Sequence, residues 1–175
     1  MKKKSTDFMV KGILLSLVLI VINLIGGFAH LQFETWFKWF PTIIQVVVII
    51  IFCIQFGKQQ TDGVTFGKVF GYGFKISLVI SVLMIVYALL SLFVIFPEFT
   101  DQALQQARAG MEAKGNLTED QIDKGMEITK KFMQPIPIAI FAFLGTLFFG
   151  TIGSLLGAAF TKKSEPEPEI FKDNP

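Results

Sequence analysis

Reactive side chains are scarce in this chain. Cys53 is its one cysteine and His30 its one histidine, so no disulfide can close within the chain and no cysteine/histidine zinc cluster can form from it. No serine sits in a nucleophile-elbow pattern. The glycine-rich stretch 61–75 lacks the Gly-Lys-Ser/Thr ending of a phosphate loop and follows no strand. Charge is thin as well, at 17% of residues against roughly 25% in soluble proteins. Together these absences leave few residues for chemistry, and no enzymatic activity, cofactor, bound metal or nucleic-acid partner is expected.

What the chain has instead is apolar length. Hydrophobic residues make up 52% of it, with 20 Phe. Four runs, 12–31, 39–57, 76–96 and 136–161, contain no Asp, Glu, Lys or Arg, and a hydrocarbon core of ~30 Å needs roughly 20 helical residues. None alternates apolar with polar residues as a barrel strand would, and helices satisfy every backbone amide within their own segment. The expected fold class is therefore all-α: a polytopic membrane protein with four transmembrane helices and an amphipathic helical hairpin, 99–134, between the third and fourth. A membrane domain covers 1–163, and the tail 164–175, with alternating Glu and Pro, reads as disordered.

Basic residues set the expected orientation. Lys2, Lys3, Lys4 and Lys11 precede the first span, Lys58, Lys68 and Lys75 lie between the second and third, and Lys162, Lys163 and Lys172 follow the fourth. The opposite side carries Lys38 and, in the longer loop, Arg108, Lys114, Lys124, Lys130 and Lys131 among acids. Both termini are expected in the cytoplasm. A basic start, an apolar stretch and Gly27-Phe28-Ala29 before His30 also resemble a secretory signal, but the run is longer than a signal core and is read as a retained span.

Segment 32–38, with Phe33, Trp36, Phe37, Trp39 and Phe40 around it, suits a tight outer hairpin at the headgroup boundary. Pro41 is placed in the first turn of the second span, Pro97 at the close of the third, and Pro135 with Pro137 at the opening of the fourth. Ahead of the third span, Gly63, Gly67 and Gly71 recur every four residues, as do Phe66, Phe70 and Phe74. This is an interfacial helical lead-in whose Lys68 and Lys75 share a face and reach toward headgroups. Its glycines permit close backbone approach, read as packing within the bundle, with a partner or ligand as the alternative.

In the outer hairpin, Thr118 and Gln121 form a capping box, Leu117 with Ile122 a hydrophobic staple, and Ile122, Met126, Thr129 and Met133 an apolar stripe. Glu127 and Lys131 are spaced as an ion pair. Leu104, Ala107 and Met111 mark a shorter helix before the Gly115-Asn116 turn. The two faces are expected to cover the outer mouth of the bundle or to dock another membrane or envelope protein. Asp120, Asp123 and Glu127 read as a solvated acidic face, and Asn116-Leu117-Thr118 matches a glycosylation triplet.

In the fourth span, Thr146, Gly150, Ser154 and Ala158 form one small-residue line and Gly153, Gly157 and Thr161 another. These are expected helix-packing grooves, opposed by Gly26 and Gly27, with homo-oligomerisation the alternative use. Asn23, Gln45, Gln55 and Tyr87 are the deepest polar groups, candidates for interhelical hydrogen bonds or, alternatively, a permeation path. Cys53 is read as packing, and His30 as a hydrogen-bonder at the membrane boundary.

Three stretches carry a family resemblance: 66–75 (Phe-Gly-Lys-Val-Phe-Gly-Tyr-Gly-Phe-Lys), 117–122 running to 130–135, and 153–159 ending in Lys162-Lys163. Over nearly its whole length the chain resembles a bacterial, Bacteroidota-type family of four-helix membrane proteins, domain of unknown function 4199. The resemblance implies an inner-membrane location and supplies no activity. An accessory, structural or regulatory membrane component is the expected role, with a small-solute transporter or channel subunit as the alternative and a membrane enzyme last.

Overall fold

The computed structural model describes residues 7–31, 34–60 and 64–161. Among them are six α-helices and no strand: α1 (Asp7–Phe28), α2 (Thr35–Lys58), α3 (Phe66–Leu90), α4 (Glu98–Glu112), α5 (Glu119–Phe132) and α6 (Pro135–Phe160). A π-helical stretch, Ser91–Ile95, continues α3. Four of these helices are long and apolar enough to cross a membrane, with 22, 24, 30 and 26 residues when the π stretch is counted with α3. At 1.5 Å per residue the shortest is about 33 Å long and the third about 45 Å. The surplus in the third matches its expected lead-in from Phe66. Gly63, Lys162, Lys163 and the tail 164–175 lie outside the described residues.

Several boundaries differ from those expected. The first helix ends at Phe28 rather than at Leu31. Ala29 N–H donates to the Ile25 carbonyl (2.9 Å) and His30 N–H to Gly27 (3.1 Å), with His30 at φ 56°. His30 thus stops α1 through a left-handed backbone, a conformation open to few residues other than Gly, Asn, Asp and His. The second helix begins at Thr35, not at Trp39, so Trp36, Phe37 and Lys38 are helical rather than part of a hairpin loop. Ring contacts favour this: Trp36 meets Phe37 edge-on at 5.5 Å, and Phe37 is buried. Pro41 consequently lies inside α2 and removes the amide that would serve the Phe37 carbonyl, instead of sitting in an opening turn.

Pro97 has a different local effect. It disfavours helical backbone at Phe96, whose φ is −133°. Phe96 N–H then closes onto Ser91 at 2.7 Å, one residue farther back than in an α-helix. Pro135 opens α6 as its first residue, where no helical bond is lost.

The chain divides into two compact units, Met1–Ile80 with Thr146–Pro175, and Ser81–Gly145. In the first, Leu15, Leu19, Ile49, Cys53, Val69, Ile76 and Ile80 form a buried core. The two small-residue lines of α6 meet two different neighbours. A Cβ at Gly150 would lie 2.6 Å from Ser77 Cβ of α3 and 3.2 Å from Gln45 Nε2. One at Gly157 would lie 2.5 Å from Cys53 Cβ of α2, and one at Gly153 would lie 3.1 Å from the Val46 carbonyl. Such approaches bring backbones into dispersion contact where lipid offers no hydrophobic drive between helices. Gly26 does not oppose α6: a side chain there would fall on the Phe37 ring of α2.

In the second unit, α4 and α5 form the hairpin, turning at Gly115 with φ 68°. Thr118 accepts from Gln121 N–H (3.4 Å) while Gln121 Oε1 accepts from Thr118 N–H (2.9 Å), completing the capping box. Ile122 and Met126 are buried, and Gly125 leaves room for Met111 Sδ. Arg108 reaches Glu112 at 2.9 Å, Asp123 at 3.3 Å and Glu119 at 3.9 Å. The Glu112 hydrogen bond and the Asp123 carboxylate hold its pKa above the usual guanidinium range, so it stays cationic. Among the described residues, ion pairing on α5 follows Arg108 and Lys124–Asp120 (3.8 Å) and does not include Glu127 with Lys131.

Candidate functional site

Asp7, in the first turn of α1, is four residues before Lys11, whose Nζ approaches its Oδ2 at 3.1 Å. Tyr72 of α3 donates its hydroxyl to the same oxygen. The Tyr72 ring stacks on Phe56 of α2 with centroids 4.1 Å apart and planes 8° apart. Lys11 also sits over both Phe52 (5.2 Å) and Tyr72 (5.3 Å), a cation–π arrangement that ties α1 to the other two helices. One charge of each sign is thereby neutralised at the junction of three helices.

Beside this junction opens a pocket of about 410 Å³ lined by Phe8, Phe56, Gln60, Gly67, Lys68, Gly71, Tyr72 and Lys75. Lys68 and Lys75 are both exposed and two turns apart on α3, hence on one face. Lys75 Nζ lies over the Phe8 ring at 5.8 Å. Among the described residues neither lysine pairs with a carboxylate. With Asp7 engaged by Lys11 and Tyr72, the pocket keeps two positive charges of its own. Phe66, Met9 and Val10, within two residues of the lining Gly67 and Phe8, are exposed, and Phe66, Phe70 and Phe74 stack in sequence along α3 at 6.3 and 5.8 Å. Gly67 and Gly71 form part of the wall, and a Cβ at either would meet none of the described residues within 4 Å. Their expected role in bundle packing is not what the structure shows.

In the first unit, Asn23, Gln45 and Gln55 have separate surroundings. Gln45 is buried and Nε2 donates to the Thr146 carbonyl of α6 at 2.8 Å, an interhelical bond. Asn23 is half-buried and donates to Leu19 of its own helix at 2.8 Å. Gln55 is exposed on α2. Tyr87 is half-buried in the second unit, one turn ahead of Ser91, where the π-helical stretch begins. Gly150, Gly153, Ser154 and Gly157 are all buried on α6. Ser154 donates back to Gly150 (2.7 Å), and its hydroxyl lies 3.5 Å from that of Ser77. Sequence reasoning found Lys68 and Lys75 but missed Asp7 and Tyr72. An acid four residues ahead of a lysine at a helix start was the available signal for Asp7; Tyr72 gave none.

Helices of this length and apolarity, flanked by lysines and stacked rings, define a multi-pass helical membrane protein. The chain belongs to the family described as "Protein of unknown function (DUF4199)", whose model matches residues 11–163. No curated protein and no solved structure matches it.

Proposed function

We propose that this chain is a non-enzymatic component of a bacterial inner membrane, with both termini cytoplasmic, that supports or regulates other membrane or envelope proteins. The observation that carries this reading is how the polar groups of the spans are engaged. Gln45 links α2 to α6, while Ser16, Asn23, Ser77, Thr151, Ser154 and Thr161 each donate to a carbonyl four residues back. Groups satisfied in this way hold helices together and have little left to offer a passing solute. Photocrosslinking in native membranes from Gln105 and Lys124 on the α4–α5 hairpin tests the role. Reproducible capture of the same heterologous membrane protein supports it, and self-crosslinks alone count against it.

A small-solute transporter or channel subunit is the second reading, favoured by the π-helical stretch Ser91–Ile95, one turn beyond Tyr87. Departures from α geometry recur at functional sites. Solute flux in liposomes that is lost on Tyr87→Phe and Ser91→Ala would establish that reading in place of the first.

A further inference from the structure

Gly67 and Gly71 raise a question that packing does not answer. Glycine inside a helix is less favourable than alanine by roughly 1 kcal/mol, and elsewhere in the first unit that cost is offset by close contact, as at Gly73, Gly150 and Gly157. Gly67 and Gly71 receive no such return among the described residues. Both line a pocket that also holds Lys68 and Lys75, which pair with no carboxylate among the described residues. A side chain at either glycine would project into that space.

We propose that this pocket binds a single phosphate-bearing anionic group, and that in the membrane this group is the headgroup of an anionic phospholipid. Lys68 and Lys75 supply the charge. Phe8 and Phe56 wall the cavity, and the absent side chains of Gly67 and Gly71 leave the volume a phosphate requires. α3 begins at Phe66, so the pocket-lining Gly67 and Lys68 lie in its first turn, at the positive end of its dipole. Asp7 does not oppose the ligand because Lys11 and Tyr72 hold it. The exposed Met9, Val10 and Phe66, within two residues of the lining Phe8 and Gly67, favour a lipid over a soluble phosphate, since acyl chains extending from the headgroup would cover such side chains. Headgroup capture would serve an accessory subunit or a transporter equally, so this assignment does not depend on the role proposed above.

The test uses the full chain purified in an uncharged detergent. Its thermal midpoint is followed on addition of phosphatidylglycerol, phosphatidylcholine or inorganic phosphate. A ligand that binds only the folded state raises the midpoint by mass action. Phosphatidylglycerol is expected to raise it in a saturable way and phosphatidylcholine is not. In Lys68→Gln/Lys75→Gln and in Gly71→Leu the half-saturating lipid concentration rises about tenfold or more, as expected when charge-assisted contacts or the space for them are lost. Lys58→Gln, which removes a nearby charge outside the pocket, responds like the unaltered chain. The lipid-free midpoint of each variant reports whether it folds. An equal rise with inorganic phosphate, abolished by the same variants, would retain the phosphate site and replace the lipid with a soluble ligand. No rise with any probe, or a phosphatidylglycerol response unchanged in both pocket variants, would overturn the proposal.

Discussion

Gly71 and Gly73 stand two residues apart in α3 and face opposite surroundings. A Cβ at Gly73 would lie 2.5 Å from Cys53 Sγ and 2.9 Å from Ser154 Cβ, whereas one at Gly71 would meet none of the described residues within 4 Å. The first position is where three helices converge, with α2 and α6 so close that only a hydrogen atom fits. The second borders a pocket. The same residue therefore marks tight packing on one face and open volume on the next, and the glycine period along 63–71 does not by itself distinguish them.

If the crowded face is as intolerant as its distances indicate, Gly157→Leu gives the largest effect. It drives a side chain into Cys53 and should cost ~3 kcal/mol or more, read as the loss of folded protein in a detergent-denaturation titration; an unchanged midpoint would break the contrast at its strongest point. Gln45→Leu removes the polar link between α2 and α6 while leaving the glycine contacts in place. Its expected cost is about 1 kcal/mol, and a cost equal to that of Gly157→Leu would place the stability in the hydrogen bond rather than in the close approach. On the open side the sign reverses: Gly67→Ala should raise stability by about 0.5 kcal/mol by restricting the unfolded chain and favouring helix. The smallest effect lies outside this comparison, in Arg108→Gln. Its ion pairs are solvent-exposed, so faster amide exchange confined to α4 and α5, fading in high salt, is expected without a measurable change in the global midpoint.

Much of the fold was legible because bilayer thickness imposes long apolar runs, and such runs are visible one residue at a time. The capping box at Thr118 was equally visible, since both partners lie within four residues. Boundaries were misread where a local rule met a tertiary contact. Phe37 buries itself on Gly26, and that contact draws Trp36 and Lys38 into α2. His30 ends α1 by its backbone, in a conformation more often taken by glycine. The candidate pocket was half legible: Lys68 and Lys75 stood out as interfacial charges. Asp7, Tyr72 and Phe56 join them only through contacts between helices up to 65 residues apart in the chain. No periodicity within one segment encodes such a meeting.

Glycine in α3 thus serves packing at one position and open volume at the other. Gly71→Ala and Gly73→Ala, measured side by side in the same unfolding titration, exchange the same residue at both positions of one helix. Gly71→Ala should raise the midpoint and Gly73→Ala should lower it. Two shifts of the same sign would contradict the claim, and with it the reason for reading the space beside Lys68 and Lys75 as a binding site.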